Sequence, residues 1–292
     1  MAKRILLFVA TNLAIMVMLS IVMALLGIGG YIRPGGGLDY GALMVFCLFW
    51  GMGGALISLG MSRIIAKMAM GVKLVDGRTG NADADWLYRT VERLTKQAGL
   101  PMPQVGIYNS PEVNAFATGP TKSRSLVAVS AGLLRAMRQE EIEGVLAHEV
   151  SHIRSGDMVT MTLIQGVVNA FVMFFARIIA NIVRQAVDER YSYMLSFVVL
   201  IVMQIVLGIF GMMIVAWFSR AREFRADAGG ASLAGRNAMI GALERLRMNQ
   251  QLVETGHPSL QTMKISGARS WMALLATHPP LEERIQALRQ GM

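Results

Sequence analysis

LAHEVSHIRSGD, running from Leu146 to Asp157, sets two of the chain's four histidines on either side of a glutamate. The residues from Gln139 to Arg154 read as one helix, preceded by a shorter helical run from Ala131 to Leu134. Helical residues four apart share a face, so His148 and His152 project together and can bind one ion, with Glu149 beside it. Two neutral imidazoles and a carboxylate suit zinc, whose catalytic sites use three protein ligands and keep a fourth position for water. An ion of that kind acidifies water to near neutrality, and Glu149 can take the proton as general base. Glu140, Glu141, Glu143 and Arg154 make the helix amphipathic and water-facing, which keeps the motif out of any bilayer.

The rest of the chain is far more apolar than this helix. Of 292 residues, 54% are hydrophobic and 16% charged, and the mean hydropathy is +0.47. The excess is gathered in blocks, as in membrane proteins. Four segments are long enough to cross a bilayer, which takes about 20 helical residues. They are Ile5 to Leu26, Gly41 to Met61, a run from just after Asp157 to about Ile182, and Tyr193 to Trp217. The glycines of the second suit close helix packing in lipid. The first is longer than the apolar core of a secretory signal and lacks a small-x-small cleavage site, so it reads as an uncleaved anchor.

Basic residues orient these spans. Lys3 and Arg4 precede the first, Arg63, Lys67 and Lys73 follow the second, and Arg220, Arg222 and Arg225 follow the fourth. The connecting stretches Ile28 to Asp39 and Val183 to Ser192 carry little net charge. The positive-inside rule therefore puts both termini and both polar segments in the cytoplasm. The net charge of +9 is accounted for by juxtamembrane residues that attract anionic headgroups, and no groove-reading or aromatic-basic motif points to nucleic acid. The single cysteine, Cys47, lies in an apolar run and offers neither a disulfide framework nor a metal knuckle.

Two polar pieces remain, about Ala66 to Gly156 and Ser219 to Met292, and they must join to make one domain. The first opens with a helical stretch, DADWLYRTVERLTKQAGL, closed by Gly99-Leu100-Pro101. The strand-like runs QVGIYN, NAFATG and SLVAVS follow, separated by Pro and Gly turns. A third metal ligand must come from elsewhere: His257, His278, Glu223 and Asp227 all have the chemistry. In SRAREFRADAGGA, Ser219 to Ala231, Glu223 and Asp227 lie four apart on one helix face. That spacing offers a ligand plus a carboxylate able to accept the free N–H of a liganding histidine. Because His152 lies just before the third span and Glu223 just after the fourth, a membrane hairpin returns Glu223 to the side the chain left.

Taken together, the N-terminal pair of spans, NAFATG, VLAHEVSHIRSGD, SRAREFRADAGGA and a terminal THPPLEERI resemble the HtpX-type membrane zinc metalloproteases, relatives of the endopeptidases that process prenylated CaaX proteins. The resemblance covers nearly the whole chain. It implies an α+β protein, mainly helical, with four transmembrane helices and a cytoplasmic, gluzincin-like catalytic domain containing a small sheet. The expected division is residues 1–65 as two spans, 66–157 as the first part of the catalytic domain, 158–217 as the hairpin, and 218–292 as the second part. The family's metal site maps onto His148, His152 and Glu223 holding one zinc ion, with Glu149 as general base and Asp227 as the acid behind a histidine. NAFATG resembles the family's exposed edge strand, where Asn114, Ala115, Phe116 and Ala117 would pair with an extended substrate through the main chain. Thr277 and the following prolines read as a helix start, and His278 and Arg284 match positions that would support the scissile carbonyl or its oxyanion. His257 receives no role.

The resemblance further implies an endopeptidase of a bacterial inner membrane that cleaves misfolded or damaged membrane proteins in a stress-linked quality-control role. A processing protease with one defined substrate is the nearest alternative. A non-catalytic, chaperone-like metal-binding protein would have no need of Glu149, and an ion transporter would need more intramembrane polar residues than Asn12, Gln165, Asn169, Arg177 and Gln204.

Overall fold

The computed structural model describes residues 13, 16–27, 30–34, 37–256 and 276–291. The first apolar segment, Ile5 to Leu26, lies partly outside these residues. Its described portion includes the helix α1, Met16–Leu25. Three further helices are each long and apolar enough to cross a membrane: α2 (Tyr40–Met70), α6 (Asp157–Ala186) and α7 (Glu189–Ala234). They leave Val187 and Asp188 as the only residues between α6 and α7, a shorter connection than the sequence suggested. Asp188 starts α7 by accepting from the Arg190 N–H at 3.0 Å through its side chain.

The described chain divides into two compact units. One takes in residues up to Ser58 together with Thr160–Val215. Within it, Leu38, Leu43, Cys47 and Ala170 form a small buried cluster. A Cβ at Gly51 would come within 2.6 Å of the Gly166 carbonyl, so glycine permits the close approach of α2 to α6. The large apolar side chains left exposed in this unit, among them Phe197, Ile205 and Phe210, are those expected to face lipid.

The second unit comprises Leu59–Val159 and Ala216–Met292. It contains β1 (Lys73–Val75), α3 (Ala82–Gln97), β2 (Gln104–Tyr108), β3 (Ala115–Thr118), β4 (Leu126–Ser130), α4 (Ala131–Ala136), α5 (Gln139–Ser155), α8 (Arg236–Gly256) and α9 (Leu281–Gln290). Asn81 caps α3 by accepting from the Asp83 and Ala84 N–H groups. The four strands form a mixed sheet in the order β1-β2-β4-β3, with β2 and β4 parallel and the outer pairs antiparallel. Neither the short β1 nor α8 was anticipated, since three strand residues and an uncapped amphipathic run carry little periodic signal.

The core of this unit lies between α3, the sheet and α5: Leu87, Val91, Leu94, Val127, Val129, Leu146, Val150 and Ile153 are all fully buried. Eleven of the seventeen residues of α5 are buried, so the motif helix runs through the middle of the unit. Its first turn is fixed by Glu141, which accepts from the Arg138 N–H at 2.8 Å and from the Arg138 and Arg245 guanidinium groups. Its last turn ends at Gly156, whose φ of +69° reverses the chain and lets Asp157 begin α6.

Candidate metal centre

His148 and His152 are 8% and 9% exposed on α5, and their rings meet edge to face. Each ring is held from behind by a carboxylate. His148 Nδ1 lies 2.9 Å from Asp227 Oδ1, and His152 Nδ1 lies 2.7 Å from Asp157 Oδ2. A carboxylate at Nδ1 makes that nitrogen the donor and leaves Nε2 with a lone pair for a metal. The two Nε2 atoms face each other at 3.0 Å.

Glu223, fully buried on α7, completes the set. Its Oε2 is 3.6 Å from His148 Nε2 and its Oε1 is 3.4 Å from His152 Nε2. Among the described residues, His148, His152 and Glu223 are the cluster whose ligand atoms all fall within 4.8 Å of one another. Donors about 2.0–2.1 Å from a tetrahedral zinc lie about 3.3–3.4 Å apart. Spacings of 3.0, 3.4 and 3.6 Å bracket that value, so the residues fit the ion.

Helix α7 brings Glu223 here without a break. It has 46 residues, about 69 Å at 1.5 Å per residue, more than twice the roughly 30 Å of a hydrocarbon core. The apolar stretch ends near Trp217, and the remainder carries Glu223 and Asp227, one turn apart, against α5.

The electrostatics follow from these contacts. Burial opposes a charge on His152, but Asp157 and Glu223 outweigh it and push its pKa up to about 9. Burial likewise opposes charge on His148, and Asp227 and Glu223 again raise its pKa above the ordinary histidine value. Burial alone would raise the pKa of Glu223, yet His148, His152 and His278 hold it far below the usual carboxylate range. Asp227 is held low despite its burial by Arg284 and His148.

Arg284 is 6% exposed and grips Asp227 with two bonds, Nε to Oδ2 at 2.7 Å and Nη2 to Oδ1 at 2.6 Å. Its Nη1 lies 3.3 Å from Glu223 Oε2, so the side chain is committed to the ligand scaffold. His278 is different: 63% of its side chain is exposed, while Nδ1 sits 2.9 Å from Glu223 Oε2. The helix that follows begins at Leu281 with Pro280 at its cap, four residues beyond Thr277. Glu149 is half-buried between the two histidines in sequence, and its charge adds to those favouring protonated His148 and His152.

Strand β3 is at the sheet edge, paired to β4 from Ala115 opposite Val129 to Thr118 opposite Leu126. Ala115, Phe116 and Ala117 are half-buried. Asn114 precedes the strand, and its backbone N–H and C=O both bond to Ser130, so it anchors the strand instead of extending its free edge. His257 lies outside the described residues. Asp157 was missed as a site residue, because on an unbroken helix the fifth residue on points about 140° away from the first. The Gly-Asp pair at the helix end was the available signal.

Residues 81–291 match the family model described as Peptidase family M48. The chain is 51% identical to a protein named Protease HtpX from Shewanella loihica, over 98% of this chain and 99% of that protein. It is also 51% identical to a Protease HtpX homolog from Nitrosomonas europaea, over the full length of both. The crystal structure of S. mikatae Ste24p superposes with a TM-score of 0.68 at 18% identity, covering 98% of this chain and 64% of that one, a likeness of fold. The chain thus belongs to peptidase family M48 and is an integral membrane metalloprotease.

Proposed function

We propose that His148, His152 and Glu223 hold one zinc ion and that Glu149 is the general base of peptide hydrolysis. The observation that carries this reading is the convergence of the two Nε2 atoms and the Glu223 carboxylate, with each Nδ1 turned away onto its own aspartate. Zinc held there supplies Lewis acidity toward a peptide carbonyl and toward water. Glu149 accepts the proton of the attacking water and passes it to the leaving amine. Asp227 keeps His148 in the tautomer with a free Nε2, and Arg284 holds Asp227 in place. His278, exposed beside Glu223, and Arg284 would support the developing oxyanion.

Residues Ala115 to Ala117 would align an extended substrate by main-chain pairing, which is indifferent to side chains. That indifference suits misfolded or damaged membrane proteins and a role in stress-linked quality control. The arrangement of basic residues supports a bacterial inner membrane with the catalytic domain, residues 66–157 and 218–292, in the cytoplasm and the hairpin of 158–217 inserted within it.

The test is cleavage of casein by protein purified in detergent with chelator and then given zinc, alongside Glu149→Gln. Zinc-dependent cleavage by the unmodified protein alone is expected. Equal cleavage by Glu149→Gln would refute the assignment of the base.

A further inference from the structure

Asp157 is 4% exposed and makes the shortest contact to either histidine, 2.7 Å to His152 Nδ1. It reaches His152 only because Gly156 turns the chain in the left-handed region. Arg222 adjoins the same carboxylate, with Nε 3.9 Å from Asp157 Oδ2. Its Nη2 is 3.1 Å from Glu223 Oε1 and 3.5 Å from Ser219 Oγ. The Nε of Arg222 is buried, has no hydrogen-bond partner among the described residues and lies at ion-pair distance from Asp157.

The arrangement parallels that around His148, with a looser arginine–aspartate contact of 3.9 Å in place of two short bonds. There, histidine, Asp227 and Arg284 close a ring onto Glu223 Oε2. On the other side, His152, Asp157 and Arg222 close a ring onto Glu223 Oε1. We propose that Asp157 and Arg222 are positioning residues forming a second arm of the metal centre. Asp157 fixes the His152 ring with Nε2 toward the ion, and Arg222 fixes the rotation of the Glu223 carboxylate. The proposal rests on the metal reading of His148, His152 and Glu223. It also gives a reason for the Gly-Asp pair: Asp157 heads α6 and Arg222 lies on α7 just past its apolar stretch, so the arm ties together the two ends of the membrane hairpin at the ligands.

The experiment measures zinc affinity of the full chain in detergent by competition with a chromogenic chelator, and the absorption spectrum of the cobalt-substituted protein. Asp157→Ala is expected to bind zinc about 10–100-fold more weakly. Asp157→Asn keeps an acceptor for Nδ1 but loses the charge that strengthens the ligand, and should lie at the low end of that range, about tenfold. Arg222→Gln should alter the cobalt spectrum, since the Glu223 carboxylate is then free to rotate. A residue that only supported folding would lower thermal stability and leave both readouts of the folded protein unchanged. Wild-type affinity in folded Asp157→Ala, with a wild-type cobalt spectrum in Arg222→Gln, would overturn the arm. If Asp157→Ala does not fold, unchanged affinity in Asp157→Asn overturns it. Failure of the unmodified protein itself to bind zinc would instead remove the metal reading, and the arm with it.

Discussion

Helices α5 and α7 pack closely beside the metal centre, where Gly229 faces Ser151, and the substitution Gly229→Ala tests whether that approach sets the ligand spacing. A Cβ at 229 would collide with Ser151 Oγ and lie 3.0 Å from Ser151 Cβ. Ordinary carbon contacts are about 3.5–4.0 Å, so the Ser151 hydroxyl must turn away and the helices must part by a few tenths of an ångström. The donor spacings across this interface, 3.4 and 3.6 Å, already stand at the upper end of what a tetrahedral zinc spans. The expected cost is about 1–3 kcal/mol of stability from overpacking, together with a loss of about tenfold or more in zinc affinity. Thermal unfolding and chelator competition in detergent measure the two effects. The double variant Gly229→Ala with Ser151→Gly removes the colliding side chain and should recover most of the affinity, although glycine within α5 itself costs about 1 kcal/mol. Unchanged affinity in Gly229→Ala, or no recovery in the double variant, would show that this contact does not govern the site.

Further outcomes follow from neighbouring groups. Zinc needs neutral imidazoles, and metal-free His152 stays protonated up to about pH 9. Zinc binding at pH 7 should therefore release at least about one proton, visible as a buffer-dependent heat, and affinity should rise about tenfold per pH unit below that value. The raised His152 pKa stabilises the metal-free fold most below about pH 6.5 and is lost as pH rises toward 9. Metal-free protein should accordingly melt lower at pH 9 than at pH 6.5, by about 3 kcal/mol from this group. Arg284→Ala leaves the buried Asp227 carboxylate only His148 as a partner and should cost about 3 kcal/mol in denaturant or thermal unfolding. Glu141→Ala removes the acceptor for the Arg138 and Arg245 guanidinium groups and for the backbone N–H of Arg138 at the cap of α5, a loss of about 1–3 kcal/mol by the same measurement.

Much of the centre was legible in the chain itself because the relevant signals are local. The spacing of His148 and His152 fixes a shared helical face, and Glu223 and Asp227 share another for the same reason. Apolar runs of about 20 residues declare membrane helices, since lipid leaves a backbone no other way to satisfy its hydrogen bonds. The strands QVGIY, AFAT and LVAVS were marked by their flanking turns, but their order was not, because pairing joins segments far apart in sequence.

Only the tertiary structure decided the partners of each side chain. Arg284, expected near the oxyanion, binds Asp227 bidentately while its Nη1 stays 3.3 Å from Glu223, and Asn114 bonds to Ser130 through its backbone groups. Asp157 became a partner of His152 only through the left-handed turn at Gly156. Arg222, one of several arginines in a basic run, was singled out by the packing of α7 against α5, which sets it between two carboxylates. Periodicity tells which residues share a face; which face meets which depends on the folded core, where burial makes each charged group find a specific counterpart.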